Sequence, residues 1–107
     1  MGKFMFQGSY VGDGMKGLLV EGGSARVHAA SKLFASLGGT LECFYFAFGT
    51  EDLVVIGELP DNVSALALSM AINGSGMAKG RVTVLATAEQ VDAATKKTPT
   101  YRPPGHA

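Results

Sequence analysis

The sequence predicts a small α+β domain with a four-stranded antiparallel sheet and helices on one side of it. Strand-like and helix-like segments follow one another as strand, helix, strand, strand, helix, strand, separated by turns rich in glycine or proline. The segment Leu41–Phe48 is apolar on both faces, whereas a half-exposed strand alternates apolar and polar residues. Hydrophobic residues make up 47% of the 107-residue chain and charged residues only 17%, which is more apolar surface than a small domain usually hides.

The first half of the chain predicts a strand at Lys3–Tyr10, a short helical piece at Met15–Val20, a helix from Ser24 to Leu37 and a strand at Thr40–Phe48. Ser24 is the expected N-cap, because its hydroxyl can accept from free N–H groups of the first turn. Alternate side chains of a strand share a face. One face of the second strand would therefore carry Leu41, Cys43, Tyr45 and Ala47, and the other Glu42, Phe44, Phe46 and Phe48. The residues alone leave open which set faces the helices.

The second half predicts a hairpin, a helix, a strand and a short last helix. The turn Gly49–Asp52 joins the second strand to a third at Leu53–Leu59, and the next helix begins at its N-cap Asp61. The fourth strand is predicted at Lys79–Thr87 and the last helix at Glu89–Lys96. The helix after Asp61 is apolar on two sides, one with Val63, Leu66, Ala67 and Met70 and the other with Ala65, Leu68 and Ile72.

This order of elements is that of the ferredoxin-like βαββαβ folds, in which both helices cover one side of the sheet. The other side is left bare, and here it is apolar. We therefore expect a homodimer or higher homo-oligomer that pairs through this face. The expected domain spans residues 1–97, and residues 98–107 form a proline-rich tail that is expected to be extended.

Charge and composition argue against several classes of partner. Nine basic and nine acidic residues give zero net charge without a basic cluster, which disfavours nucleic acid and anionic membranes. Met1–Gln7 is too short and too polar for a signal-peptide core, and no apolar run approaches a membrane span. The single cysteine, Cys43, excludes an intrachain disulfide, so a cytoplasmic protein is expected.

Six short segments, most of them at the predicted turns, carry a resemblance to a known family: Tyr10–Gly17, Glu21–Ser24, Leu37–Gly39, Phe44–Gly49, Leu59–Asp61 and Tyr101–Gly105. Together they closely resemble the GYD-domain family of small bacterial and archaeal proteins over almost the whole chain. The family name comes from a Gly-x-Tyr-Asp turn; this chain keeps Gly49 and Asp52 but has Glu51 at the tyrosine position. The resemblance implies an α+β, dimeric ferredoxin-like barrel and brings no established activity or cofactor.

The strongest candidate site combines the segment Gly22–Ser24 with Arg26. A Gly-Gly-Ser entry to a helix exposes backbone N–H groups at the positive end of the helix dipole, and Arg26 could pair with a carboxylate or phosphate. The alternative is an ordinary capped helix start, with Arg26 bonded to Glu42 or Glu58.

Two tyrosines complete the expected ligand contacts, which are Ser24, Arg26, Tyr10 and Tyr45. Tyr10 and Tyr45 could each present a hydroxyl to a cleft between sheet and helices. In the turn, Asp52 is expected beside Gly49, with its carboxylate on the turn's own N–H groups.

The sequence assigns no catalytic residue, no metal site and no cofactor. His28 is expected on the surface, and Glu42 is expected to be solvated at a strand end, although a buried Glu42 could act as a base. The chain has no cysteine pair and no His-x-x-x-His.

Three functions remain open at this stage. The favoured one is a small-molecule-binding or regulatory module, because a cleft with few polar groups suits a small ligand. The second is a cofactor-free isomerase or monooxygenase-like enzyme of the dimeric α/β-barrel type, which would need an acid or base in the cleft. The third is a structural assembly unit that uses Leu68 and Ile72 to join dimers into a ring.

Overall fold

The computed structural model describes residues 1–106, which fold into one antiparallel sheet and four helices. The strands are β1 (Gly2–Tyr10), β2 (Thr40–Phe46), β3 (Leu53–Leu59) and β4 (Ala78–Leu85), and the helices are α1 (Gly14–Glu21), α2 (Gly23–Ser36), α3 (Asn62–Gly74) and α4 (Ala88–Ala94). Neighbouring strands run antiparallel in the order β2-β3-β1-β4. The predicted α+β class and four-stranded antiparallel sheet are confirmed. Ala107, the last residue of the predicted tail, lies outside the described residues.

The core lies between one face of the sheet and the helices α2 and α3. Alternate residues of β1 and β3 are buried on this face, and Phe34 of α2 and Leu68 of α3 close over them. The buried apolar residues are Phe4, Phe6, Phe34, Leu53, Val55, Leu59, Ala65 and Leu68. The sheet's opposite side, which we call the open face, is defined by register. It carries Lys3, Met5, Gln7, Thr40, Cys43, Tyr45, Val54, Ile56, Glu58, Arg81, Thr83 and Leu85.

An irregularity in β2 changes the predicted division of its side chains. The register with β3 shifts between Leu41 and Cys43, so that Leu41 pairs with Gly57 and Phe44 with Val55, both on the helix-facing side. The expectation that Leu41 shares a face with Cys43 and Tyr45 is therefore wrong, because the extra residue breaks the two-residue period. β2 also ends at Phe46, and Phe48 beyond it is fully exposed.

The junction of α1 and α2 also differs from the prediction. The helix α2 begins at Gly23, its N-cap position is Gly22, and no side chain among the described residues caps it, so the prediction that Ser24 is the N-cap is wrong. Gly22 adopts φ 82° and ψ 172°, a conformation open to glycine that lets α1 turn directly into α2. The cap of α3 is confirmed: Asp61 accepts a hydrogen bond from the Ser64 N–H at 2.8 Å, which lowers the pKa of Asp61.

The outward side of α3 is apolar, and it is not the side expected to join dimers. Leu68 is buried in the core and Ile72 packs against it, which leaves neither free for a ring contact. The exposed stripe consists of Val63, Leu66 and Met70, which are 75%, 59% and 65% exposed.

The segment Ala86–His106, which we call the C-terminal arm, extends away from the sheet. All of its residues are exposed, and residues 98–106 form neither helix nor strand. The radius of gyration is 17.1 Å, whereas a compact chain of this length has about 13 Å. The arm therefore buries little surface within its own chain.

Candidate functional site

A cleft opens between α1, α2, α3 and the helix-facing side of the sheet. It consists of an outer cavity of about 480 Å³ and an inner cavity of about 90 Å³. Residues that line both cavities mark their junction, and they include Tyr10, Arg26, Leu33, Ile72 and Ala78. We use "the cleft" for these two cavities together.

The helix α1 forms the mouth of the cleft because its start is fixed against the beginning of β4. After β1 the chain turns through Gly12, whose φ is 55°, and the Val11 N–H donates to the Met77 carbonyl at 3.0 Å. A Cβ at Gly14 would overlap the same carbonyl oxygen, so that glycine is needed where the helix begins. The end of α1 is set by the turn at Gly22 into α2.

Polar groups meet at the junction of the cavities. The Arg26 Nη1 donates to the Glu21 Oε1 at 3.2 Å, and both side chains are about half-exposed. Burial raises the pKa of Tyr10, and the neighbouring Arg26 guanidinium opposes that shift. The Arg26 Nε is buried and has no hydrogen-bond partner within residues 1–106.

Asp52 holds the end of β1 through a side-chain hydrogen bond to the backbone of Tyr10. Its Oδ2 accepts from the Tyr10 backbone N–H at 3.0 Å, and its own N–H donates to the Gly8 carbonyl at 2.8 Å. The expectation that Asp52 bonds to its own turn is thus wrong for its side chain, which spans 42 residues of sequence to reach Tyr10. Gly49, the other residue that this chain shares with the predicted turn motif, is exposed and lines neither cavity.

The inner cavity is lined almost entirely by apolar side chains. Phe44 reaches it from β2, Phe34 and Leu33 from α2, and Leu68 and Ile72 from α3. The Phe44 ring also lies against the Phe46 ring, with centroids 4.9 Å apart. An apolar inner end beside a polar junction gives the cleft an amphiphilic character.

The structure brings together two of the four predicted ligand contacts. Tyr10 and Arg26 both line the cleft, whereas Ser24 lies exposed in the first turn of α2. Tyr45 lies on the open face and is 69% exposed, so its expected place in the helix-side cleft is wrong. Ligand contact by any of these residues stays a prediction.

Sequence reasoning missed Glu21 and Phe44 as parts of the cleft. Glu21 precedes the Gly22 turn and Arg26 follows it, and this break turns Glu21 towards Arg26. Glu42 and Glu58 were the alternative partners expected for Arg26. Both lie on the other side of the sheet. A polar residue on each side of a Gly-Gly helix break is the signal that could have found this pair.

The remaining titratable candidates lie outside the cleft. Glu42 is exposed and pairs with Lys3, which raises the pKa of Lys3. His28 is exposed on α2. Within residues 1–106, no group of three or more His, Cys, Asp or Glu side chains is placed to hold a metal ion. The same residues include no helix with the length and apolar character needed to cross a membrane.

A family model that describes the GYD domain matches residues 4–95 of the 107-residue chain. The match begins within β1 and ends one residue after α4, and it confirms the predicted resemblance over that range. No curated protein and no solved structure matches the chain significantly.

Proposed function

The chain belongs to the GYD-domain family, and we propose that it is a small-molecule-binding or regulatory module that works as a homo-oligomer. The observation that carries this proposal is the cleft, whose inner end is apolar and whose junction holds two hydrogen-bonding side chains, Tyr10 and Arg26. Small-molecule sites usually have this composition, in which a few polar groups orient a ligand that apolar surface binds.

We also propose that the chain has the ferredoxin-like fold and pairs through its open face into a dimeric α/β barrel. The strand order β2-β3-β1-β4 and the position of α2 and α3 support the fold. The centre of the open face is apolar and consists of Met5, Cys43, Val54 and Ile56. Ion pairs mark its two ends, Lys3 with Glu42 and Arg81 with Glu51. An apolar centre with a charged rim is typical of protein interfaces.

The C-terminal arm supports the same proposal. It exposes Val91 by 53% and Tyr101 by 73%, and a second copy of the chain is the partner that would cover them. Deletion of residues 98–107 should then lower the melting temperature at a fixed protein concentration. An unchanged melting temperature would count against docking of the tail.

A structural assembly unit is the second candidate, and the exposed stripe of α3 favours it. Val63, Leu66 and Met70 lie on one side of the helix, where they could join one dimer to the next. Light scattering of Leu66→Glu tests this candidate. Loss of an assembly larger than a dimer would support it, and an unchanged mass would refute it.

The cleft itself is tested with a matched pair of variants in α2. Ala30 lines the inner cavity and Ala35 is exposed on the same helix, so Ala30→Leu should fill the cavity and Ala35→Leu should not. A chemically mixed set of small apolar compounds is screened by NMR shifts of backbone amides. We expect compounds that perturb the amides of Tyr10 and Arg26 in the wild type and Ala35→Leu but not in Ala30→Leu.

Two outcomes would overturn the binding proposal: no compound perturbs the cleft, or binding is unaffected by Ala30→Leu. Chemical conversion of a bound compound would instead favour the cofactor-free enzyme over the regulatory module.

A further inference from the structure

The junction of the two cavities offers hydrogen-bond donors that the protein itself leaves partly unused. The Arg26 Nη1 donates to Glu21, but the buried Arg26 Nε has no partner within residues 1–106. The Tyr10 hydroxyl lies beside the same guanidinium. A buried donor without an acceptor costs free energy, and a ligand oxygen that reached the Arg26 guanidinium from the cleft would remove part of this cost.

We propose that the cleft binds a small apolar molecule that carries a carboxylate, with the carboxylate against Arg26 and Tyr10 and the apolar body in the inner cavity. This inference rests on the proposed binding function and names its ligand class. The planar guanidinium offers a fork of N–H donors that matches a carboxylate in geometry and in charge. The apolar body would contact Phe44, Leu33 and Ile72, which line the inner cavity.

Glu21 occupies part of this place in the structure and acts as an internal substitute for the ligand carboxylate. Its pair with Arg26 is about half-exposed at both side chains, so it is screened by water and readily exchanged. No side chain of α1, Gly14–Glu21, is buried, so no core contact holds the Glu21 side chain against Arg26. An entering carboxylate can therefore displace Glu21 at small cost to the fold.

The acidic residues at the mouth raise the opposite possibility of a cationic ligand. The outer cavity is lined by Asp13 and Glu21 as well as by Arg26. Both acids already face a cation, since the Asp13 Oδ1 lies 3.8 Å from the Lys16 Nζ and Glu21 pairs with Arg26. At the junction, by contrast, it is the Arg26 Nε donor that is buried and has no partner among residues 1–106. The carboxylate is thus favoured over the amine, and the experiment compares the two directly.

The test uses three probes with the same apolar body and different head groups: 3-phenylpropionate, 3-phenylpropan-1-ol and 3-phenylpropylamine. Their dissociation constants are measured by NMR titration on the wild type, Arg26→Gln and Glu21→Gln. We expect the wild type to bind the carboxylate about tenfold more tightly than the alcohol, and Arg26→Gln to lose this preference. Glu21→Gln frees the guanidinium, so it should tighten carboxylate binding about threefold or more and leave alcohol binding unchanged.

Glu51→Gln is the matched control, because Glu51 pairs with Arg81 outside the cleft and should change neither affinity. A gain of affinity in Glu21→Gln cannot arise from unfolding, so the test holds even if Arg26→Gln does not fold. If the alcohol or the amine binds as tightly as the carboxylate, or if Glu21→Gln and Glu51→Gln behave alike, the ligand class is wrong while binding in the cleft stands. If none of the three probes and none of the mixed compound set binds, both the ligand class and the binding function are refuted.

Discussion

Replacement of Asp52 by alanine removes a single side-chain hydrogen bond and leaves the backbone bonds of the same residue in place. The Asp52 N–H still donates to Gly8, and its carbonyl still accepts from Ala47. Only the bond from the Tyr10 N–H to the Asp52 Oδ2, 3.0 Å long, is lost. The variant therefore isolates the contribution of this carboxylate to the end of β1, where Tyr10 enters the cleft.

The expected loss of stability follows from the kind of bond. Hydrogen bonds to charged groups contribute about 1.5–3 kcal/mol, and we expect the lower end, about 1.5 kcal/mol, because water can partly replace a half-buried carboxylate. Asp52→Asn keeps an acceptor oxygen without the charge and should lose about half as much.

Urea unfolding at pH 7 and fixed protein concentration gives the free energies, and hydrogen exchange of the Tyr10 amide reports the bond itself. Glu51→Ala is the control from the same turn: its partner Arg81 is 64% exposed at the side chain, so the pair should contribute less than about 1 kcal/mol. Equal losses in the two alanine variants, or a Tyr10 amide as protected in Asp52→Ala as in the wild type, would refute the reasoning.

Three further predictions concern the fold. Gly57→Ala should lower the free energy of unfolding in urea by about 1–3 kcal/mol, because the added Cβ would overlap the Phe34 ring. In Gly17→Ala the added Cβ meets nothing within 4 Å, so this control should stabilise the protein by about 0.5–1 kcal/mol through α1. Equal effects of the two substitutions would contradict this. Asp61→Ala should lower the urea midpoint at pH 7, and the difference from the wild type should vanish as the pH falls through the lowered pKa of Asp61, since its stabilisation needs the carboxylate; a difference that persists in acid would contradict it. Glu42→Gln should lower the pKa of Lys3 towards its ordinary value in an NMR titration, and an unchanged pKa would contradict the pairing.

Local signals in the sequence were sufficient for the elements and for the sheet. The apolar runs of β1 and β3, the cap at Asp61 and the short β2–β3 connection are all read from neighbouring residues. The order of the elements then restricts the topology to few arrangements. Arg26 and Tyr10 could be named as candidates because each follows or precedes a turn that brings it to the edge of the core.

The features that the sequence did not predict depend on contacts between distant elements or on one backbone conformation. The register shift after Leu41 arises in the pairing of β2 with β3, and no glycine or proline at that point of the sequence indicates it. The bond of Asp52 to Tyr10 joins residues 42 positions apart. The pair of Glu21 with Arg26 would not form on a continuous helix, where residues five apart do not face each other, and it depends on the turn at Gly22.

The apolar residues on the two sides of β2 have different proposed roles, one in the cleft and one in the dimer interface. A pair of substitutions can separate these two roles. Phe44 points to the helix side and lines the inner cavity, whereas Tyr45 points to the open face. Phe44→Ala should therefore weaken binding of 3-phenylpropionate and leave the oligomer mass unchanged. Tyr45→Asp should lower the oligomer mass in light scattering, because it places a charge in the proposed interface, and leave the affinity of the cleft unchanged in the separated subunits. If each variant altered both properties, the cleft and the open face would be one coupled surface, and the assignment of the two sides of β2 to different roles would be wrong.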